Sequence, residues 1–128
     1  MKIEHVALNL EDPVSALKWY RENLEMQVLK SSDIPPYGSF IADKERNVVL
    51  EIYANTTIPL PDYAAMHPLT FHLAFSVEDV SATRGRLLSK GATAEGEVIQ
   101  NDNGDIFAML RDPWGIPIQL VNRANALL

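Results

Sequence analysis

An internal repeat constrains this chain more than any other feature of its sequence. The segment His5–Asp12 (HVALNLED) reappears as His72–Asp79 (HLAFSVED), 67 residues later in a chain of 128 residues. Four of the eight positions are identical and the other four keep their character. Two copies, each covering about half the chain, indicate a duplicated module, because a solenoid needs a shorter period and more copies. Chance similarity between two strands is the alternative, and the matching elements that follow each copy disfavour it.

The same series of elements follows each copy of the repeat. Asp12 and Asp79 are predicted to cap a helix, the first of which has Pro13 in its first turn. Apolar residues recur at helical spacing after each cap, at Val14, Leu17, Tyr20 and Leu24 in the first half and at Val80 and Leu87 in the second. Strand-like stretches follow over residues 26–31, 38–43, 48–54, 94–100, 105–111 and 116–122. The sequence therefore predicts an α+β fold of two tandem βαβββ modules.

A proline-rich stretch lies between the two halves. It contains Pro59, Pro61 and Pro68, and clustered prolines are typical of a linker. We expect a first module over residues 1–54, a linker over 55–69, a second module over 70–123 and a tail over 124–128.

Composition excludes several classes of function. The chain has 17 acidic and 11 basic residues, giving a net charge of −6, which disfavours a protein that binds nucleic-acid phosphates. No apolar run approaches the ~20 residues that span a bilayer, and the first ten residues are too charged for a signal peptide. The absence of cysteine rules out disulfides and thiolate metal sites and agrees with a reducing compartment. We expect a cytoplasmic protein with no nucleic-acid or membrane partner.

Side-chain alternation places four possible metal ligands on one kind of face. Successive side chains of a strand point to opposite sides of the sheet. The histidine of each repeat, His5 or His72, shares its face with small or polar residues, opposite the apolar face. In the last strand of each half, Glu51 or Gln119 also lies opposite the apolar residues. Since the halves repeat, a twofold rotation can bring the four donors to one point inside a cup.

The chemistry of these donors suits a metal ion. A single histidine or glutamate on a strand is usually an ordinary side chain, so the prediction depends on the conjunction of His5, Glu51, His72 and Gln119. Imidazole, carboxylate and amide oxygen are donors for first-row divalent metals, here Zn, Ni, Mn, Fe or Co. Four ligands leave two octahedral positions for water or substrate oxygens. A closed structural zinc site is disfavoured because no ligand is a thiolate.

These motifs resemble a known family. The H-x-A opening of each half, the LEIY strand at 50–53 and the DPWGIPIQL segment at 112–120 are similar to the vicinal oxygen chelate superfamily. That superfamily includes glyoxalase I, methylmalonyl-CoA epimerase, extradiol dioxygenases, and the fosfomycin and bleomycin resistance proteins. The resemblance covers residues 1–123 and is nearest to glyoxalase I-like lyases. It implies one glyoxalase-like domain, with a U-shaped, eight-stranded mixed sheet around a cavity, and a homodimer.

The resemblance also implies an activity. A lactoylglutathione lyase-like carbon–sulfur lyase or isomerase would act on a small substrate with vicinal oxygens, by metal-stabilised enediolate proton transfer. The family often has Glu where this chain has Gln119, which leaves Glu51 as the only carboxylate of the set and the candidate catalytic base. Asn55 occupies the place where glyoxalase I has an asparagine that helps bind glutathione. Asn55 and Asn9, which is expected to line the cup, are therefore candidate substrate-binding residues.

Two other functions stay open on the sequence. The first is a metal-free protein that binds and sequesters a small molecule, as bleomycin resistance proteins do. The second is a metal-dependent dioxygenase or thiol transferase. The bound metal separates the sequestering protein from the enzymes, and activity towards a hemithioacetal or a catechol separates the enzymes from each other.

Overall fold

The structure is a computed structural model that describes residues 1–127. The chain divides into two compact units, one spanning Met1–Pro61 and the other beginning at Asp62. The boundary lies inside the segment 55–69, where the sequence predicts a linker.

Each unit is a βαβββ module. The first contains β1 (Val6–Asn9), α1 (Pro13–Asn23), β2 (Gln27–Lys30), β3 (Ser39–Ala42) and β4 (Val49–Tyr53). The second contains β5 (Leu73–Ser76), α2 (Val80–Leu88), β6 (Thr93–Gln100), β7 (Ile106–Arg111) and β8 (Pro117–Asn122). The predicted α+β fold of two βαβββ modules is confirmed.

The strands form two mixed sheets with one topology. The first sheet has the order β1-β4-β3-β2 and the second the order β5-β8-β7-β6. In both, the first strand of the module runs parallel to the last, and the other neighbours are antiparallel. The repeat in the sequence is therefore a repeat of strand order and direction. The cup predicted from the family stays a prediction.

An aspartate caps each helix, as predicted. The Asp12 carboxylate accepts a hydrogen bond from the Ser15 amide at 3.0 Å, and that of Asp79 accepts one from the Ala82 amide at 2.8 Å. Each bond satisfies an amide that has no partner within its helix. The equivalent caps fix where both helices begin.

The buried face of α1 differs from the predicted stripe. Val14 is 55% exposed, and the buried positions are Pro13, Ala16, Tyr20 and Asn23. Asn23 tolerates this burial because its side-chain amide donates to the carbonyl of Trp19 at 3.0 Å. The apolar pattern therefore predicted Tyr20 correctly and placed the other three buried positions one residue too late.

Both helices are short. α1 has 11 residues and α2 has nine. In the part of the chain that the structure describes, no helix is long and apolar enough to cross a membrane. The cytoplasmic location stays a prediction.

An aspartate closes the last hairpin of each module in the same way. Asp112 accepts hydrogen bonds from the amides of Trp114 and Ile116 at 2.9 and 2.8 Å. Asp43 accepts from two amides of its own loop at 2.7 and 2.8 Å. These bonds fix the turn, and with it the register of the strand that carries the candidate ligand.

Each sheet has one face whose apolar side chains are buried. In the first module the buried strand residues include Leu8, Ile41, Leu50 and Ile52, and in the second they include Ala108, Leu110, Ile118 and Leu120. Full burial of each larger side chain contributes about 1.5–3 kcal/mol. The apolar face predicted for β8 is confirmed, and those of β1 and β4 are confirmed in part, because Val6 and Val48 are 41% and 55% exposed. Glu51 and Gln119 alternate with the buried residues of their strands and lie on the opposite face.

Candidate functional site

The first module brings its two candidate ligands together. β1 and β4 are parallel, and Ala7 lies opposite Glu51. His5 precedes Ala7 by two residues and therefore faces the same side of the sheet. Its Nε2 atom lies 3.3 Å from Oε2 of Glu51, and both side chains are half-buried, with exposures of 33% and 26%.

The other ring nitrogen of His5 also meets a carboxylate. Nδ1 is hydrogen-bonded to the side chain of Glu4, and the His5 and Phe40 rings are nearly perpendicular, with their centroids 5.4 Å apart. The pKa of His5 is raised above its ordinary value of 6.5. The hydrogen bond with Glu4 is the largest cause, and the charges of Glu4 and Glu51 add to it against the opposing effect of burial. Sequence reasoning missed Glu4, for which adjacency to His5 is the one available signal.

The second module repeats the register with neutral partners. Ala74 lies opposite Gln119 on β5 and β8, as Ala7 lies opposite Glu51. The Nδ1 atom of His72 is 2.8 Å from the carbonyl oxygen of Pro68. Because a carbonyl only accepts, Nδ1 donates, and the neutral ring keeps its free electron pair on Nε2. His72 and Gln119 are both half-buried.

The two asparagines predicted to bind substrate are joined by hydrogen bonds between the Asn9 side chain and the Asn55 backbone. The side chain of Asn9 donates to the carbonyl of Asn55 at 3.0 Å and accepts from its amide at 2.7 Å. The side-chain oxygen of Asn55 accepts from the amide and hydroxyl of Thr57 at 2.9 and 2.6 Å. These contacts fasten the chain where it leaves β4. Substrate binding by either residue stays a prediction.

Comparison with known proteins identifies the family. The profile of the Glyoxalase/Bleomycin resistance protein/Dioxygenase superfamily matches residues 2–120. The chain belongs to this superfamily. Its resemblance to a lactoylglutathione lyase of Haemophilus influenzae amounts to 25% identity over 131 residues, covering 98% of this chain and 95% of the relative.

Solved structures share the fold of this chain. A glyoxalase family protein from Bacillus cereus has a TM-score of 0.82 and 17% identity, with coverage of 98% of this chain and 95% of that one. An antibiotic binding protein from a Streptomyces species has a TM-score of 0.68 and 22% identity, with coverage of 97% and 99%. Likeness at these identities shows the architecture, on which the superfamily places different functions.

The His5–Glu51 pair has the separation of two adjacent ligands of a divalent metal. Adjacent ligands at right angles, with metal–ligand distances of about 2.1 Å, lie about 3 Å apart, near the His5–Glu51 separation of 3.3 Å. Both histidines have Nδ1 bonded to an oxygen, from Glu4 or Pro68, which is the outer contact that orients a metal-binding histidine. Among residues 1–127, no group of three or more His, Asp or Glu side chains is placed to hold a metal. The first module thus offers one close pair, His5 and Glu51.

Sequence reasoning also missed Arg111. This residue ends β7, and its side chain is only 13% exposed. A largely buried arginine needs partners for its donors, and Arg111 bonds to Glu95 and to backbone carbonyls of the segment before His72. A charge at the end of the apolar strand IFAMLR is the signal that could have drawn attention to it.

Proposed function

We propose that this protein is a metal-dependent lyase or isomerase of the glyoxalase type, acting on a small substrate with two vicinal oxygens. The observation that carries the proposal is the 3.3 Å approach of His5 Nε2 and Glu51 Oε2. The similarity to lactoylglutathione lyases over nearly the whole chain supports it, and a carbon–sulfur lyase is its finer form.

The proposed metal ligands are His5, Glu51, His72 and Gln119. The matching registers of Glu51 and Gln119 support this set. Each lies opposite an alanine of the parallel neighbouring strand, Ala7 or Ala74. An ion such as Zn, Ni, Mn, Fe or Co would supply Lewis acidity to the two substrate oxygens.

Glu51 is the proposed base. It is the only carboxylate in the ligand set, and the amide of Gln119 cannot accept the proton. Glu51 would remove the proton alpha to the substrate carbonyl and return it to the neighbouring carbon, a role worth about 10²–10⁴ in rate. Asn55 is proposed to contact the substrate, with Asn9 holding the backbone of Asn55 in place.

Metal content tests the proposal directly. Protein purified without chelator and reconstituted is expected to hold about one divalent ion per ligand set, and the double variant His5→Ala/His72→Ala none. Gln27→Ala is the control, because Gln27 lies outside the proposed set and its side chain donates to the Lys44 carbonyl at 2.8 Å. Turnover of a hemithioacetal with anaerobic Ni²⁺ or Zn²⁺ is expected, and turnover of catechols with Fe²⁺ is not.

Other results would support the alternatives. A parent protein without metal after reconstitution would contradict the proposal and favour a metal-free protein that sequesters a small molecule. Catechol cleavage would favour a dioxygenase.

We also propose a homodimer, as the family resemblance implies. Light scattering measures the assembly, and mixing His5→Ala with His72→Ala chains shows where the ligand pairs combine. If two chains contribute to one site, the mixture regains part of the activity that each variant lacks, because mixed dimers contain one complete ligand set. If both pairs come from one chain, mixing restores nothing.

A further inference from the structure

Arg111 donates from all three guanidinium nitrogens, and two of its five hydrogen bonds reach the segment of the second module that precedes His72. Nε and Nη2 donate to the two carboxylate oxygens of Glu95 at 2.9 and 3.4 Å. Nη1 donates to the carbonyls of Tyr63 and Gly115 at 2.9 and 3.1 Å, and Nη2 to that of Met66 at 2.9 Å. The charge is thus paired and the donors are directed at backbone oxygens in a fixed geometry.

The segment that Arg111 holds, residues 63–68, belongs to no strand or helix. It packs closely on the turn after β7, since a Cβ atom on Gly115 would meet the Cβ of Ala64 at 2.8 Å. Gly115 also has φ +85°, which glycine adopts without strain. Arg111 and this glycine are therefore two separate attachments of the segment to the sheet.

The segment ends at the residue that orients His72. Pro68 is buried, and its carbonyl oxygen lies 2.8 Å from Nδ1 of His72. A turn closed by the amide of Thr70 and the carbonyl of His67, at 2.8 Å, carries Pro68. A continuous series of contacts therefore runs from Arg111 through residues 63–68 to the His72 ring.

We propose that Arg111, supported by Glu95, is a positioning residue for His72. It holds residues 63–68 so that the Pro68 carbonyl keeps Nδ1 of His72 protonated and leaves Nε2 available. The relevance to metal binding rests on the proposed function, in which His72 is a ligand. The first module needs no such arginine, because the neighbouring Glu4 contacts Nδ1 of His5 directly.

Nitrogen-15 NMR of the histidine rings in the metal-free protein, with the rings neutral, tests this proposal. In the parent, His72 is expected in the Nδ1–H tautomer. In Arg111→Met the His72 signals are expected to shift toward a mixture of tautomers, while His5 signals stay unchanged. Arg111→Lys should restore the parent pattern only in part, because an ammonium lacks the planar fork.

Arg84→Met is the matched control. Arg84 lies in the same module, and its Nη2 donates to the Gly96 carbonyl at 2.9 Å and pairs with the Glu97 carboxylate at 3.5 Å. The Arg84→Met variant should have the same His72 tautomer as the parent. Zinc titration should show about tenfold weaker binding for Arg111→Met, the lower end of the effect of losing an outer contact, and no change for Arg84→Met.

Three results would decide against the proposal or keep it separate from the proposed function. A pure Nδ1–H tautomer of His72 in a folded Arg111→Met variant overturns it. If Arg111→Met unfolds, Glu95→Gln decides, with a shift at His72 alone supporting the proposal and no shift overturning it. A parent that binds no metal overturns the proposed function, whereas the tautomer measurement still tests Arg111.

Discussion

The two modules share a fold and differ in the charge around their candidate ligands. In the first, His5 lies between two carboxylates, those of Glu4 and Glu51. In the second, His72 is bonded to the carbonyl of Pro68, and Gln119 replaces the carboxylate. The repeat therefore preserved strand register while the chemistry of the two donor pairs diverged.

This difference has a consequence for the proposed metal. A ligand set with Glu51 as its one carboxylate carries a single negative charge, so a bound divalent ion would keep net positive charge for the substrate oxygens. It also makes the proposed base unambiguous, since no second carboxylate is available from the set. Exchanging the two side chains is the strongest test of the comparison.

The largest expected effect comes from exchanging the charged and the neutral candidate ligand, Glu51 and Gln119. Glu51→Gln should lower kcat by about 10²–10⁴ because it removes the base. Gln119→Glu should retain activity within about tenfold, since it adds a ligand carboxylate without removing one. Steady-state kinetics with metal content measured on the same samples checks both. Equal losses of kcat in the two variants would contradict the assignment of the base to Glu51 of the first module.

The cores of the two modules should respond alike. Ile52 and Leu120 occupy equivalent strand positions, one after Glu51 and Gln119, and are 0% and 1% exposed. Ile52→Ala and Leu120→Ala should each lower the free energy of unfolding by about 2–5 kcal/mol, measured by urea denaturation. Val14→Ala, at an exposed helix position, should change it by less than about 0.5 kcal/mol. A large effect in one module alone would contradict the equivalence of the cores.

Smaller effects are expected at the helix caps. Asp12→Ala and Asp79→Ala should each cost about 0.5–2 kcal/mol in thermal or urea unfolding, while the corresponding Asn variants keep most of the stability. The pKa of Asp12 is lowered, chiefly by its hydrogen bond with Ser15. Its contribution is therefore complete above the pKa of an unfolded aspartate and is lost as the pH falls through the folded pKa. Asp12→Asn should remove that acid dependence, and its persistence would show that another group causes it.

The sequence predicted the parts of the molecule that depend on local patterns. Alternation located the strands and the buried face of β8, and the capping aspartates located both helix starts. The buried face of α1 was predicted correctly only at Tyr20. An apolar pattern does not predict the burial of Asn23, whose side-chain amide donates to the Trp19 carbonyl. The roles of Arg111 and Pro68 depend on how residues 63–68 fold against β7, which no local pattern encodes.

The smallest expected effect concerns the pKa of His5. This ring contacts two carboxylates, whereas the equivalent His72 contacts a backbone carbonyl. Glu4→Gln should lower this pKa, because the hydrogen bond with Glu4 is the largest cause of its elevation, and NMR titration of the ring measures it. Glu51→Gln should lower it less, and the control Glu11→Gln should leave it unchanged.

The direction in which His5 makes stability depend on pH follows from proton linkage. Since folding raises the pKa of His5, the stabilisation is complete below the unfolded pKa and is lost as the pH rises through the folded value. Glu4→Gln should weaken that loss in a pH series of unfolding measurements. If Glu51→Gln lowers the pKa more than Glu4→Gln does, then Glu51, across the sheet, and not the adjacent Glu4, sets the charge of His5. The first module would then resemble the second in having its histidine controlled by a residue distant in sequence rather than adjacent.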